Sequence, residues 1–357
     1  EIQKAKELNI PTIKIGKLVG EISKNFKTIA VAGTHGKTTT TSMLVWALNK
    51  LDRLPNFIAG GAGDNIADIN KSYNYDPQSE YIILEACEYK EQFLERAPKP
   101  YIAVITHIEL DHTDYYKNID EYVNAFIKFT KNSEYIVINT EEENSEKLLQ
   151  NIADAKVQES NNKQKNNLQF DLTHFNTTYN FINANRVIDT LKILGYTETD
   201  SQNAIKSFKG LSKRLEYVGQ VNGNQYYFDY AHNPTKLKSL VNALTQEKIF
   251  GNKQVKLVWQ PHSFERTYTF KNDFADAIKN LENLIIPNIF APARESKEYK
   301  SMITEKDFVT YLQNTNANIN IIYTAGFENL ETYIKKDTEK HTNIVYVFAS
   351  AGDLHKK

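Results

Sequence analysis

Apolar residues along this chain fall into two patterns. Short runs rich in Ile, Val and Tyr alternate with longer stretches in which apolar positions recur every three or four residues. The first pattern reads as buried strands, the second as helices that cover them. Strands are expected at residues 28–32, 81–85, 101–106 and 135–139, and helices at 38–50, 120–131, 142–152 and 181–194. A second series follows a stretch at 210–219. It opens with a hairpin, 217–221 and 225–229, turned at Asn222-Gly223. Further strands are expected near 255–259, 284–287, 319–323 and 343–349, with helices near 235–244, 271–281, 305–314 and 327–335. This alternation predicts an α/β fold with mostly parallel sheets in two domains. At the start, 2–9 reads as a helix and 10–15 as a short strand, the tail of an α/β unit that begins upstream. The polar stretch 159–167 reads as a surface loop or a hairpin between short strands.

The 357 residues are enough for two full-sized cores. A formal charge of −1 gives no reason to expect nucleic acid or an anionic membrane as partner. No apolar run approaches the ~18 residues of a membrane span. Cys87 stands alone, so no internal disulfide can form, which fits a reducing, cytoplasmic location.

Candidate chemistry begins where the first expected strand ends. Gly33-Thr34-His35-Gly36-Lys37-Thr38-Thr39-Thr40-Thr41 leads from that strand into a helix. Strand, Gly-rich turn, Lys-Thr and helix together grip the phosphates of a nucleoside triphosphate. Backbone N–H groups close on phosphate oxygens, the lysine neutralises them, and the Thr38 hydroxyl reaches Mg²⁺. The first Gly of the strict spacing would fall at Val31, so this loop is a variant. Four consecutive threonines are a poor helix start unless hydroxyls are wanted there.

Other candidates sit past other strands. Glu85 ends an apolar run and is placed for Mg²⁺, or is simply a strand-end acid. Thr106 through Asp114 carries His107, Glu109, Asp111, His112 and Asp114. Its spacing matches no zinc motif, so it reads as a polar loop or as another wall of the same cleft. In the second half, Lys213-Arg214-Leu215-Glu216 and Phe228-Asp229-Tyr230-Ala231-His232-Asn233-Pro234 flank the hairpin. Gln260-Pro261-His262-Ser263-Phe264-Glu265-Arg266-Thr267, Ala291-Pro292-Ala293-Arg294-Glu295 and Ser350-Ala351-Gly352-Asp353-Leu354 follow further strands. Several charged turns at strand C-termini point to an active face.

Taken together these residues resemble the Mur ligases, the ATP-dependent amino-acid-adding enzymes of peptidoglycan synthesis, over essentially the whole chain. Thr34-His35, Gly60-Gly61, Gln260-Pro261-His262 and Pro292-Ala293-Arg294-Glu295 are features of the alanine-adding branch. The resemblance implies a central ATPase domain of the phosphate-loop type at 27–209 and a C-terminal Rossmann-like α/β domain at 210–357. Residues 1–26 would be the remnant of an N-terminal UDP-sugar-binding domain and its linker. ATP would be held by Gly33, Thr34, His35, Gly36, Lys37, Thr38 and Thr39, with Asn180 near the adenine and Arg214 and Asp229 reaching in from the C-terminal domain. Thr38, Glu85 and His112 would bind Mg²⁺. Lys37, His232 and Arg266 would serve the chemistry, and His262 and Arg266 would face the muramoyl carboxylate or the incoming amino acid.

The implied reaction joins UDP-N-acetylmuramate to L-alanine through an acyl phosphate. A Mur-type ligase with another substrate, such as a peptide, and a catalytically silent ATP-binding fragment are the alternatives. The chain departs from the family pattern at several positions. His107 replaces Asn, Tyr179 replaces His, Cys87 replaces Asp, and Ser263 and Tyr268 replace Arg. Several members carry a carbamylated lysine after the Asp-His loop. Phe126 falls at that place here, with Lys128 two residues off, and the alanine-adding branch lacks that lysine as well.

Overall fold

The computed structural model describes residues 2–52, 54–59, 71–110, 112, 115–152, 156–159, 178–208, 215–246, 248–292, 295 and 297–354. The chain divides into two compact units, the first running to Ser212 and the second from Lys213. The first contains α1 (Ile2–Glu7), α2 (Ile15–Ser23), β1 (Lys27–Ala32), α3 (Lys37–Leu51), β2 (Asn56–Ile58), β3 (Tyr73–Asn74), β4 (Tyr81–Glu85) and α4 (Gln92–Arg96). It continues through β5 (Ile102–Ile105), α5 (Ile119–Thr130), β6 (Tyr135–Ile138), α6 (Glu143–Leu149), β7 (Lys156–Glu159), α7 (Thr178–Ile193) and α8 (Glu198–Lys206).

Among the described residues these strands form one sheet, ordered β3-β2-β4-β1-β5-β6-β7. All neighbours are parallel except the β2–β3 pair. β1 lies central because it is apolar on both faces: Ile29, Ala30, Val31 and Ala32 are fully buried. On one face Ala30 and Ala32 join a core with Phe93, Phe126 and Phe129. The Phe93 and Phe129 rings stack at 4.6 Å. α3 packs with α7 and α8, and the Trp46 indole of α3 donates to the Ala204 carbonyl of α8 at 3.1 Å.

The strand expected at 10–15 does not form. Ile10, Ile13 and Ile15 remain exposed, and Pro11 has no N–H for a ladder. Instead Ile15 opens α2, because Gly16, Val19, Gly20 and Ser23 repeat at helical spacing and bury one face. That face meets α4 so closely that a Cβ at Gly20 would overlap the Glu95 carbonyl oxygen. The hairpin raised as possible at 159–167 falls, beyond Glu159, outside the described residues.

The second unit contains β8 (Glu216–Val221), β9 (Asn224–Asp229), α9 (Pro234–Thr245), β10 (Gln254–Trp259), α10 (Phe264–Thr269) and α11 (Lys271–Ile278). It ends with β11 (Asn283–Ile286), α12 (Lys297–Met302), α13 (Glu305–Thr315), β12 (Asn320–Tyr323), α14 (Phe327–Lys340) and β13 (Ile344–Ala349). The sheet order is β12-β11-β10-β13-β9-β8, parallel except for the β8–β9 hairpin. At its turn Asn222 and Gly223 both take positive φ, 49° and 80°, the pairing a two-residue hairpin turn demands. Trp259 packs on Phe274 and Phe308 on one face, and Tyr346, Val258 and Ile285 fill the other. Both units are therefore the expected mostly parallel α/β folds. Among the described residues no helix is long and apolar enough to cross a membrane.

Substituting Gly20→Ala should destabilise the first unit by about 1–3 kcal/mol, the cost of forcing a methyl into a closed helix contact. Urea melts of the two proteins test this, and coincident midpoints would refute the close approach.

Candidate active site

The loop 33–36, Glu85 and the segment from Thr106 to Leu110 each lie at the C-terminus of a strand of the first unit. β1 pairs with both β4 and β5, which sets Val31 level with Glu85 and with Val104. The loop 33–36 thus emerges between Glu85 and the residues after β5. Gly33 and Gly36 both adopt positive φ, 135° and 81°. A side chain at Gly33 would strike the Thr106 hydroxyl, and one at Gly36 would come within 2.6 Å of Asn183 Oδ1. These two glycines are required by conformation and by space.

Two threonines clamp the loop. The Thr34 hydroxyl donates to the Glu109 carbonyl at 2.7 Å and accepts the Glu109 N–H at 3.0 Å. The Thr106 hydroxyl bonds the carbonyls of Ala32 and His35. Held this way, the loop delivers Gly36 as the N-cap of the 15-residue α3 with no side chain capping it. The N–H groups of the first turn are left for an anion. Thr38 does not cap either; its hydroxyl donates to Glu85 Oε1 at 3.0 Å. Thr39 lies half-buried in the same turn.

Lys37 turns back under the loop. Its Nζ donates to Gly33 O at 2.5 Å and Thr34 O at 3.3 Å, and meets Glu88 Oε2 at 3.0 Å. Burial disfavours the ammonium, yet Glu88, helped by Glu85, outweighs it and raises the Lys37 pKa. Glu88 is fully buried. Burial pushes its carboxyl upward, but Lys37 and His112 pull it down further, so it is ionised. His112 Nε2 lies 3.5 Å from Glu88, so the structure gathers His112 to Glu88. Burial and the Glu88 charge push the Cys87 thiol up, which leaves it neutral.

A second chain of charges backs the β5 loop. Arg186, fully buried on α7, donates to the Ile105 carbonyl at 2.9 Å and to Glu142 at 2.7 Å. Glu142 also holds His107 Nδ1 at 2.9 Å, and these partners outweigh burial and lower its pKa. Glu109 stands between His35 at 3.6 Å and His107 at 3.7 Å. Asn180 sits in the first turn of α7, one turn before Asn183. Phe126 is core, edge-on to Phe93, and Lys128 is exposed and paired with Glu91 at 2.8 Å. Neither position offers an unpaired lysine. Asp111 and Asp114 lie outside the described residues, as do Gly60, Gly61, Lys213, Arg214, Ala293 and Arg294.

The second unit also gathers its candidates at strand ends. Asp229 closes β9, where its carboxylate accepts the N–H groups of Ala231 at 2.8 Å and Leu215 at 2.9 Å. His232 Nδ1 donates to the Tyr230 carbonyl at 2.7 Å, which leaves Nε2 as an acceptor. Burial, then the charges of Lys236, Arg266 and His262, lower its pKa to about 3. The imidazole is therefore neutral at pH 7. The His262 ring lies 6.0 Å from it, and burial lowers the pKa of His262 and of Arg266 as well.

Several motif residues turn out to hold the frame. Asn233 caps α9 through the Lys236 N–H, ahead of Pro234 at the first helical position. Ser263, at φ 67°, caps α10 through the Arg266 N–H at 3.1 Å. Glu295 accepts the N–H groups of Phe264 and Glu265 at 3.0 and 3.1 Å. Gln260 is fully buried and ties together Asn288, Ser350 and Asp353. Sequence reasoning missed Glu88, Asn183, Glu142 and Arg186. A second acid three residues past a strand-end acid is the one local signal that could have marked Glu88.

Two mostly parallel sheets, and a Gly-Lys-Thr loop feeding an uncapped helix, define an α/β protein of the phosphate-loop type. Residues 31–207 match the model of the Mur ligase middle domain, and the chain belongs to the Mur ligase family. It is 36% identical to the UDP-N-acetylmuramate–L-alanine ligase of Clostridium kluyveri, across 91% of this chain and 79% of that protein. It is 30% identical to the ligase of the same name from Caldicellulosiruptor bescii, across 100% of this chain and 81% of that protein. Among solved structures it superposes on the UDP-N-acetylmuramate–alanine ligase MurC of Thermotoga maritima with a TM-score of 0.73 at 23% identity, covering 99% and 79% of the two chains. A murein peptide ligase from Psychrobacter arcticus gives 0.64 at 17% identity, covering 99% and 81%.

The unfolded chain takes up a proton on His232 near pH 6.5, whereas the folded chain does so only near pH 3. Stability should therefore fall as pH drops from 6.5 towards 3. His232→Gln should lose less over that window. Calorimetric melting temperatures measured at intervals from pH 7 to 4 compare the two, and parallel curves would show that His232 is not held neutral.

Proposed function

We propose that this chain is an ATP-dependent ligase that joins the lactyl carboxylate of UDP-N-acetylmuramate to the amino group of L-alanine. The observation that carries the ATP reading is the uncapped N-terminus of α3, with Lys37 buried beneath it and Thr38 bonded to Glu85. The substrate reading rests on the 30–36% identity to ligases of that name.

The chemistry needs two steps. A carboxylate oxygen attacks the γ-phosphorus of ATP, the bond to the β-bridging oxygen breaks, and ADP leaves. The amine then attacks the acyl phosphate, and inorganic phosphate leaves as the amide forms. Both steps collect negative charge on oxygen. Lys37 and the N–H groups of Gly36 to Thr39 are the groups of this loop that stabilise it. Gly33, Thr34 and His35 shape the loop, and Asn180 is assigned to the adenine side.

The donor set fits Mg²⁺: one hydroxyl, Thr38, bonded to one carboxylate, Glu85, while His112, the third ligand the resemblance implies, lies against Glu88. Among the described residues no group of three or more His, Cys, Asp or Glu converges as a self-contained metal site. Mg²⁺ takes few protein ligands and completes its shell with phosphate and water, and a hydroxyl and a carboxylate are ligands of the kind it prefers. When bound, Mg²⁺ supplies charge neutralisation for the transferring phosphoryl group.

In the second unit, Arg266 and His262 are assigned to carboxylate recognition, and Arg214 and Asp229 to the nucleotide. His232, neutral with Nε2 open as an acceptor, can accept a hydrogen bond from the incoming ammonium or amine. We further assign 27–209 as the ATP-binding domain and 210–357 as the C-terminal domain; residues 1–26, expected to be the remnant of a sugar-binding domain and its linker, belong to the first compact unit, where α2 packs on α4. Ser263 favours one variant reading. Where the alanine-adding branch has an arginine, this chain spends the position on a helix cap, so Arg266 has less cationic help in holding a carboxylate.

Phosphate release from ATP, measured with UDP-N-acetylmuramate and a panel of L-alanine, glycine, L-serine and a tripeptide, decides between the readings. Release should be fastest with L-alanine; release with the tripeptide alone would assign a peptide ligase. Lys37→Ala should lower kcat by about 10²–10³-fold or more, the scale of losing one preorganised charge at the transition state. Undiminished turnover in Lys37→Ala would remove the loop from the mechanism.

A further inference from the structure

Glu88 has no part in the assignments above, yet it is the hub of the first unit's site. Its side chain is 1% exposed. It touches Lys37 Nζ through both oxygens, at 3.0 and 3.1 Å, and approaches His112 Nε2 at 3.5 Å. Its own backbone carbonyl accepts the buried Tyr116 hydroxyl at 2.5 Å, and Tyr89 beside it packs on the His112 ring at 4.5 Å. The carboxylate is thus fixed from both sides, with the phosphate-loop lysine on one flank and the histidine of the β5 loop on the other.

This arrangement has an electrostatic consequence. All three ammonium hydrogens of Lys37 already have acceptors: Gly33 O, Thr34 O and Glu88. A phosphate entering the loop must compete with Glu88 for that ammonium. If it succeeds, a buried carboxylate loses its counter-charge and acquires an anionic neighbour, which is strongly unfavourable. The cost disappears if a divalent cation enters with the phosphate on the side of Thr38, Glu85 and His112.

We propose that Glu88 is a positioning residue that makes nucleotide binding depend on the divalent cation. In the free protein it holds Lys37 as a built-in substitute for phosphate, and it releases the lysine only when a cation arrives with the nucleotide. This rests on the reading of the loop as the ATP site. It adds the residue that rejects metal-free nucleotide, a form that could occupy the site without reacting.

The test is calorimetric titration of ADP and ATP into the full chain, with excess Mg²⁺ and with EDTA. Wild type should bind the magnesium forms well and the metal-free forms poorly. Glu88→Gln keeps the shape but removes the competing charge. It should bind metal-free nucleotide about tenfold more tightly, the factor one charged hydrogen bond is worth, so the preference for the magnesium form shrinks. Glu88→Asp should keep that preference. A merely structural role would instead lower the melting temperature and weaken both forms together. A folded Glu88→Gln protein whose metal-free affinity is unchanged or weaker would overturn the inference and leave the ATP reading standing. Wild type that binds no nucleotide under either condition would overturn both.

A second arm does not depend on that variant folding. Lys37→Met strips the counter-charge from Glu88, so Mn²⁺ alone should bind about tenfold more tightly than to wild type. Unchanged or lost Mn²⁺ affinity would count against the pairing.

Discussion

The ion pair between Lys37 and Glu88 is the interaction on which the first unit's site depends. A lysine under a phosphate loop must stay charged while largely cut off from water. Burial alone would work against the ammonium; Glu88 reverses the sign. The loop around it then has one task, to keep the first N–H groups of α3 open. Thr34 and Thr106 do this by bonding the loop's own carbonyls and the Glu109 backbone, so no side chain is left to cap the helix.

In the second unit burial instead disfavours the charged forms of basic groups. His232 is locked in one tautomer by the Tyr230 carbonyl, and desolvation holds both it and His262 below their usual range. Around them, residues that carry the family pattern do structural work. Gln260 bridges the segments after β11 and β13, Glu295 accepts the first amides of α10, and Ser263 caps that helix. A motif is thus partly a record of chemistry and partly of the frame that holds it.

Most elements were legible from periodicity. The central strands Tyr81–Glu85 and Gln254–Trp259 and the Asn222-Gly223 hairpin appear because buried parallel strands are continuous apolar runs and a tight hairpin needs positive φ. The short elements were not. α2 was missed because its first residue, Ile15, was read as the end of a short strand, and it forms because two glycines allow contact with α4. β2 and β3, of three and two residues, carry too few side chains for any period to show.

By itself the sequence determined the order of the longer strands and helices, the Gly-rich loop after β1 and the strand-end position of Glu85, Asp229 and the His-bearing turns. Each depends on residues close together in the chain. Only the tertiary structure decided which charges face each other. Glu88 meets Lys37 across 51 residues, and Arg186 meets Glu142 across 44. His112, expected beside Glu85, is drawn to Glu88. The physical reason is that a buried charge takes the counter-charge the sheet brings to it, and strand order sets that pairing at distances no local pattern encodes.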